Sequence, residues 1–289
     1  MRAIQYAAPR SLSDAVAILQ ERGNKARILA GGTDLIVQVG ENVRDVDTLV
    51  DGKRIPELMK LSFDPVTGLT LGAAVPCYRI YEHPEIQSHY SGLVDSASII
   101  GGTGIQGRAS VGGNLCNSGP AGDTIPTLIA YSATARIVGA NGERTVAVED
   151  FCTAPGRNIL QPDELLVSIH FPAPPAHFGA AYLRFIPRNE MDIAVVGVGA
   201  SLALDEDGNI ATARIALAAV APKPLYAPEV GYFLQGKAPS TEVFAEAGDI
   251  ARSLVTPISD MRGTAAHRKH LTGVLVRRTL QRAFERARA

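Results

Sequence analysis

One glycine-rich stretch, residues 101–122, constrains this chain more than any other part of its sequence. Eight of these 22 residues are glycine, whereas the chain average of 28 glycines in 289 residues predicts about two. A long helix or strand through the stretch would be costly, since glycine loses the most backbone entropy on folding. The stretch therefore predicts an irregular loop whose backbone amides a ligand can approach closely.

A second glycine segment, Ala30-Gly31-Gly32-Thr33-Asp34-Leu35, follows a short apolar strand predicted over 27–30. A short helix is predicted from Asp34, so the positive end of its dipole would lie near the segment. Glycine-rich loops can bind phosphate groups through backbone N–H groups where no lysine or arginine does so. A tight turn that needs a positive φ is the structural alternative for a single Gly-Gly pair.

A dinucleotide-binding pattern inside the long stretch is interpreted as a chance match. Gly102 to Gly107 fit the pattern GxGxxG, and Asp123 follows about 20 residues later, as that fingerprint requires. The fingerprint must open a helix that crosses over to a second parallel strand. Residues 108–114 and the following Gly119-Pro120 cannot form such a helix, so the Rossmann fold is rejected.

Sequence patterns for several other chemistries are missing. The chain contains no Gly-Lys-Ser/Thr phosphate loop, no His-Glu-x-x-His zinc pattern and no Gly-x-Ser-x-Gly nucleophile turn. We therefore predict no catalytic residue and no metal site. A large bound cofactor fits better, because polar side chains are interleaved with the glycines, namely Thr33, Ser110, Asn114, Asn117 and Asp123.

Charge and cysteine usage exclude several function classes. Lysine and arginine number 28 against 29 aspartate and glutamate residues, so a general nucleic-acid binder is not expected. No run of about 18 apolar residues predicts a membrane span, and residues 1–6 lack the apolar core of a secretion signal. Cys77, Cys116 and Cys152 are far apart, which disfavours a disulfide framework or an iron–sulfur cluster and favours a cytoplasmic setting.

The hydrophobic pattern predicts two structural units that are separated by Pro172-Ala173-Pro174-Pro175. Before this break, a helix over 11–22 and several short strands alternate with loops, and Asn141-Gly142 indicates a hairpin. After it, three strands precede three helices, predicted over 180–186, 193–204, 210–220, 228–234, 241–254 and from 264 to the end. Strands followed by helices are typical of an α+β fold.

The glycine segments and later motifs resemble one protein family. Ala30 to Leu35, Ala-Ser-Val-Gly-Gly-Asn at 109–114 and Ser-Gly-Pro-Ala-Gly-Asp at 118–123 are similar to the FAD-binding medium subunit of the molybdenum hydroxylases. This is the xanthine dehydrogenase and carbon monoxide dehydrogenase family. Pro-Asp-Glu-Leu-Leu at 162–166 and Arg-Asn-Glu-Met-Asp-Ile-Ala at 188–194 follow in the family's order, so the resemblance covers the whole chain.

The resemblance implies a fold and a domain division. Residues 1–175 would form a two-lobed FAD-binding domain of the vanillyl-alcohol-oxidase (PCMH) type, with lobes of about 1–55 and 56–175. Residues 176–289 would form a smaller α+β C-terminal domain with an antiparallel sheet and helices. FAD would lie extended between the two lobes.

The resemblance also implies how the diphosphate of FAD is bound. Residues 28–35 would wrap it with backbone amides, and Ser110, Gly113 and Asn114 would complete the cradle. The whole expected set of cofactor-binding residues is Ile28, Leu29, Ala30, Gly31, Gly32, Thr33, Asp34, Leu35, Ile100, Gly101, Ser110, Gly113, Asn114, Asn117, Asp123, Leu166 and Arg184.

The remaining members of this set have separate expected roles. Asp123 would hydrogen-bond the adenosine end of FAD, and Ile100, Gly101 and Leu166 would lie beside the flavin. Ordinary packing in the core is the alternative for Ile100 and Leu166. Arg184 stands where relatives often carry lysine, and its role stays open because the two side chains are not interchangeable.

The family further implies a division of labour among subunits. FAD would be bound by this chain, molybdopterin by a large partner subunit and two [2Fe–2S] clusters by a small one, in a dimer of heterotrimers. Electrons would pass from the clusters to FAD and then to NAD⁺, a quinone, oxygen or another acceptor. The scattered cysteines agree with this division and argue against the benzoyl-CoA reductase branch, whose flavin subunit carries an extra cluster.

Two other functions and one surface feature stay open at this point. A stand-alone flavin-dependent oxidoreductase of the same fold would need its own acid–base residue near the flavin, and a non-catalytic module would have lost FAD. The last helix is basic, which fits either a solvated face or a docking surface for a partner. Its basic residues are Arg268, Lys269, Arg277, Arg278, Arg282, Arg286 and Arg288.

Overall fold

The computed structural model describes residues 3–188 and 190–289 of the chain. Met1 and Arg2, in the stretch 1–6 where the sequence predicts no secretion signal, and Asn189, in the motif at 188–194, lie outside the described residues. Within the described part, helices combine with a small parallel sheet and larger antiparallel sheets, which confirms the predicted α+β class.

The N-terminal lobe is a small parallel sheet flanked by helices. Its elements are β1 (Gln5–Ala7), α1 (Leu12–Arg22), β2 (Ala26–Leu29), α2 (Leu35–Gly40) and β3 (Thr48–Asp51). The strands run in the order β1-β3-β2. Of the two candidate capping residues in the sequence, Ser11 and Ser13, it is Ser11 that caps α1 by accepting a hydrogen bond from the Asp14 N–H. Strand β2 of this lobe ends at Leu29, directly before the first glycine segment at 30–35.

The second lobe is built on a five-stranded antiparallel sheet in the order β4-β5-β10-β6-β7. Its elements are β4 (Leu61–Asp64), β5 (Gly68–Gly72), α3 (Cys77–Tyr81), α4 (Pro84–His89), α5 (Ser91–Ala97), α6 (Thr103–Gln106), α7 (Val111–Asn117), α8 (Thr124–Ala130), β6 (Thr134–Gly139), β7 (Gly142–Ala147), β8 (Cys152–Ala154), β9 (Arg157–Asn158) and β10 (Leu165–Phe171). The strands β8 and β9 pair with each other as a separate hairpin. Buried side chains of β5, β10, α3, α4, α5, α7 and α8 form one hydrophobic core.

The glycine-rich stretch is more regular than the sequence predicts, since it contains the short helices α6 and α7. Tertiary packing accounts for this difference. Ser110 caps α7 by accepting from the Gly113 N–H, and Gly112 packs so tightly that a Cβ there would lie 2.5 Å from Ala73 Cα. Here glycine permits a close approach of two backbones, which offsets its poor helix propensity.

The C-terminal unit is an antiparallel meander covered by helices. It consists of β11 (Phe178–Phe185), β12 (Val196–Leu204), β13 (Ile210–Ala218), β14 (Leu225–Tyr226), α9 (Pro228–Leu234), α10 (Thr241–Leu254) and α11 (Ala265–Ala287), and its strands pair in chain order. The predicted break at 172–175 lies between β10 and β11, and the division into domains at residue 175 stays a prediction. Among the described helices, none is long and apolar enough to cross a membrane.

The C-terminal unit contacts the second lobe through small residues and ion pairs. A Cβ at Gly199 of β12 would lie 2.5 Å from the carbonyl carbon of Pro126 in α8. Arg286 of α11 donates two hydrogen bonds to the carboxylate of Asp95 in α5, at 2.6 and 2.9 Å. Part of the basic helix therefore binds its own chain. The sequence analysis had considered only a solvated face or a docking surface for a partner.

Candidate cofactor-binding site

A cleft of about 580 Å³ lies between the N-terminal lobe and the second lobe. Both glycine segments line it, although they are about 80 residues apart in sequence. The structure brings most of the predicted site residues to this cleft, namely Ile28, Ala30, Gly31, Gly32, Thr33, Asp34, Leu35, Ile100, Ser110, Gly113, Asn114, Asn117 and Leu166.

Direct contacts join the two glycine segments. The Arg108 Nε donates a 3.1 Å hydrogen bond to the Gly31 carbonyl, and a Cβ at Gly31 would collide with the Arg108 carbonyl oxygen. The side-chain amide of Gln38 in α2 also donates to Oδ1 of Asn117, the last residue of α7, at 3.0 Å. The predicted convergence of the two segments is therefore present in the fold.

The first glycine segment presents unpaired backbone donors to the cleft. In the described part of the chain, the N–H groups of the five successive residues from Gly31 to Leu35 have no hydrogen-bond acceptor. Gly32 has a φ of +80°, a conformation that suits glycine, and it turns the chain from β2 into α2. Successive free amides in such a turn form a concave site for an anion.

The second glycine segment contributes fewer free amides. The Gly113 N–H donates to Ser110 Oγ at 3.0 Å, so Gly113 lines the cleft while its amide serves the cap of α7. Of the neighbouring N–H groups, those of Val111 and Gly112 have no acceptor within the described residues. Asn114 is fixed by a 2.7 Å hydrogen bond from the Thr124 hydroxyl. The free donors of this segment are thus shifted from Gly113 to the two preceding residues.

Four predicted residues do not line the cleft. The Leu29 side chain is buried in the core, and Gly101, with a φ of +56°, adjoins the lining residue Ile100. Asp123 accepts hydrogen bonds from the Tyr182 hydroxyl at 2.8 Å and from Arg184 at 2.6 Å. These contacts tie the glycine-rich stretch to β11, and direct binding of the cofactor by Asp123 or Arg184 stays a prediction.

The Asp123 carboxyl is subject to opposing effects. Burial raises its pKa, while the Arg184 guanidinium and the Tyr182 hydroxyl act in the other direction. Burial and the neighbouring Asp123 also raise the pKa of Tyr182 well above its ordinary value, so this phenol stays protonated as a donor. A Cβ at Gly197 would collide with the Tyr182 hydroxyl, so a glycine at this position makes room for the phenol ring and its hydroxyl group.

The hairpin of β8 and β9 is a wall of the cleft that the sequence analysis missed. Its lining residues are Thr153, Gly156, Arg157 and Asn158. The Asn158 amide donates to the Cys116 carbonyl at 2.8 Å, which attaches the hairpin to the end of α7. The dipeptide Pro155-Gly156 is a turn signal that could have identified the hairpin.

Two arginines of the cleft, Arg27 and Arg44, were also missed. Within the described residues neither forms an ion pair, and Arg44 donates its Nε hydrogen bond to Gln38 at 2.5 Å. Burial and the nearby positive charge of Arg44 lower the pKa of Arg27. The free amides and these cations together suit an elongated anionic ligand.

Comparisons with known proteins agree with this geometry. The FAD binding domain of molybdopterin dehydrogenases matches residues 2–174, and the C-terminal domain of the carbon monoxide dehydrogenase flavoprotein matches residues 181–283. The chain is 29% identical over 283 residues to the xanthine dehydrogenase FAD-binding subunit of Escherichia coli O157:H7, covering 98% of this chain and 96% of that protein.

Two carbon monoxide dehydrogenases are similar over the same length. The medium chain from Afipia carboxidovorans is 31% identical over 283 residues, covering 98% of this chain and 97% of the relative. The solved carbon monoxide dehydrogenase from Hydrogenophaga pseudoflava that lacks the Mo-pyranopterin moiety superposes with a TM-score of 0.94 at 31% identity, covering 99% and 98% of the two chains. This chain therefore belongs to the FAD-binding subunit family of the molybdenum-containing dehydrogenases, and it is an oxidoreductase subunit with an FAD-binding domain.

Proposed function

We propose that the cleft binds FAD in an extended form and that this chain is the electron-transfer subunit of a multi-subunit molybdenum dehydrogenase. Electrons would arrive from [2Fe–2S] clusters of a small partner subunit and leave to NAD⁺, a quinone, oxygen or another acceptor. The molybdopterin and the substrate site would belong to a large partner subunit. The observation that carries the proposal is the run of free amides from Gly31 to Leu35, facing the second glycine segment across one cleft.

The residues of the cleft fit the parts of FAD. The free amides would bind the diphosphate, with Arg27 and Arg44 adding positive charge on the same cleft wall. Ile100 and Leu166 offer apolar surface for the ring system. Bound FAD would supply the electron-carrying chemistry, while the protein binds it, orients it and limits its contact with water.

The titratable groups of the cleft favour electron relay over bond-making chemistry. Burial raises the pKa of the Cys116 thiol to about 12, so it stays protonated and unreactive at neutral pH. The Glu164 carboxylate is held by two hydrogen bonds from Arg144, at 2.7 and 2.8 Å, which lower its pKa. A carboxylate fixed in this way is a poor proton acceptor. A stand-alone oxidase would instead require an effective proton acceptor near the flavin.

Purification of the chain by itself and with its co-purifying proteins tests the proposal. We expect FAD bound to the chain, no hydroxylation of any substrate by the chain alone, and molybdenum and iron in the larger complex. Reduction of the bound flavin, measured as the loss of its visible absorbance, should require the iron–sulfur partner in its reduced form. Turnover of a small substrate by the isolated chain would instead identify a stand-alone oxidoreductase, and colourless protein after reconstitution with FAD would identify a binding module.

A further inference from the structure

Two successive carbonyl groups at the start of the first glycine segment are each held by a cationic side chain. The Lys53 Nζ donates to the Ala30 carbonyl at 2.9 Å, and the Arg108 Nε donates to the Gly31 carbonyl at 3.1 Å. Lys53 follows β3, whereas Arg108 lies two residues before Ser110, the cap of α7. Neither cation belongs to the described residues that line the cleft, so both carbonyls are held from outside it.

The geometry of the peptide bond links the direction of each bound carbonyl to the direction of the next N–H group. In a planar trans peptide, the C=O of one residue and the N–H of the next point in opposite directions. Holding the Ala30 carbonyl away from the cleft therefore directs the Gly31 N–H toward it, and the Gly31 carbonyl does the same for the Gly32 N–H. A Gly-Gly pair has wide backbone freedom, so its peptide orientation needs external fixing.

Lys53 is itself held in place by a buried carboxylate. Its Nζ lies 2.8 Å from Asp51 Oδ1, and its backbone N–H donates to the same oxygen at 3.0 Å. Asp51 is only 5% exposed and accepts a 2.6 Å hydrogen bond from the Tyr6 hydroxyl on its other oxygen. This anchoring gives the ammonium group a fixed position at the Ala30 carbonyl.

Electrostatics favour the same arrangement. A carbonyl oxygen that faced a diphosphate would repel it, whereas an N–H group attracts it. Lys53 and Arg108 bind the two carbonyl oxygens and add positive charge next to the loop.

We propose that Lys53 and Arg108 are positioning residues that orient the Gly31 and Gly32 amides toward the diphosphate of FAD without touching the cofactor. The inference rests on the proposed binding of the diphosphate by these amides. Neither residue was part of the site expected from the sequence.

The variants Lys53→Met and Arg108→Met test the proposal in the purified full chain. Each should weaken FAD binding about 10-fold to 100-fold, because a charge-assisted hydrogen bond that fixes a donor is lost. ADP, which carries the diphosphate without the flavin, should lose affinity by a similar factor in competition assays. Arg136→Met is the matched control, since it removes a cation that pairs with Glu143 on the β6–β7 hairpin and does not line the cleft.

A spectroscopic readout separates positioning from a merely structural role. At saturating FAD, the ³¹P resonances of the bound diphosphate should shift in both variants and stay unchanged in Arg136→Met. If either methionine variant loses its native circular dichroism, Lys53→Gln or Arg108→Gln replaces it and should give a smaller loss in the same direction. Wild-type affinity and wild-type ³¹P shifts in the folded variants would overturn the proposal, whereas failure of the wild-type chain to bind FAD would overturn the proposed function instead.

Discussion

At Gly31, the space that a side chain would need is occupied by the backbone of the second glycine segment. A Cβ would collide with the Arg108 carbonyl oxygen and approach the Ala109 Cα to 3.0 Å. Neither atom belongs to a flexible side chain, so the two segments would have to separate. The two glycine segments can therefore approach this closely only because residue 31 has no Cβ.

This contact predicts that Gly31→Ala releases the cofactor. We expect at least a 10-fold weaker affinity for FAD, because the separated segments no longer present their amides to one diphosphate. Gly104→Ala in α6 is the matched control, since nothing lies within 4 Å of the Cβ it would add. Flavin content after purification and titration with FAD measure both, and equal flavin content in the two variants would contradict the prediction.

The Asp51 carboxylate makes the stability of the folded protein depend on pH. Burial alone would raise its pKa, but hydrogen bonds from Lys53 and Tyr6 outweigh burial and hold the pKa below the ordinary value. A carboxyl whose pKa is lowered in the folded state stabilises the protein above its unfolded pKa, and this contribution is lost as pH falls through the folded pKa.

Asp51→Asn should therefore lower the free energy of unfolding by about 1 to 3 kcal/mol at neutral pH. Its difference from wild type should shrink as the pH is lowered into the acid range. Denaturant unfolding between pH 7 and pH 3 measures this, with the exposed Asp249, which pairs with Arg252, changed to Asn as the control. A difference that stays constant with pH would show that Asp51 acts through packing alone.

At the scale of single elements, α11 combines a buried cation with an exposed one in consecutive positions. Arg268 is 3% exposed and donates to the carbonyls of Val195 and Ala219, at 2.7 and 3.1 Å, and to Asp260 at 2.8 Å. Lys269, one residue later, is exposed. The basic composition of a helix thus says little about which face each charge occupies.

Arg268→Met should destabilise the C-terminal unit by about 2 to 4 kcal/mol, because two buried carbonyl groups lose their donor. Lys269→Met should change stability by less than about 0.5 kcal/mol, as is usual for exposed positions. Urea unfolding followed by circular dichroism measures both values. A similar effect of the two substitutions would show that the hydrogen bonds of Arg268 add nothing to stability.

For the whole molecule, the attachment of the C-terminal unit depends on Asp95. This carboxylate accepts two hydrogen bonds from Arg286 and one from the Tyr182 N–H at 3.1 Å, and it lies 3.3 Å from Arg282. The ion pair of Asp123 with Arg184 forms a second connection at the glycine-rich stretch. The C-terminal unit is therefore linked to the lobe that lines one side of the cleft.

Arg286→Met should loosen this attachment while the cleft keeps its amides. We expect a loss of about 1 to 3 kcal/mol in stability and faster proteolytic cleavage in the connection at 172–175. Arg278→Met, an exposed position on the same helix, serves as the control. Limited proteolysis of the FAD-loaded chain gives the measurement, and identical cleavage rates in both variants would argue against the role of Arg286.

Local sequence signals identified the elements that have strong boundaries of their own. The spacing of apolar residues and the helix-starting residues predicted α9 over 228–234 and α10 over 241–254, and both helices have these bounds. The strands β1, β4, β8 and β9 were missed, because each has only two to four residues and is defined by a partner strand elsewhere in the chain.

The sequence by itself determined the α+β class and the two glycine segments, since apolar periodicity and glycine content act locally along the chain. It also carried the motifs that reveal the family. Only the tertiary structure decided which amides remain free, which predicted residues reach the cleft and where the charges of α11 bind. These properties depend on contacts between residues far apart in sequence, such as Arg108 with Gly31 and Lys53 with Ala30, and such contacts exist only after the lobes pack together.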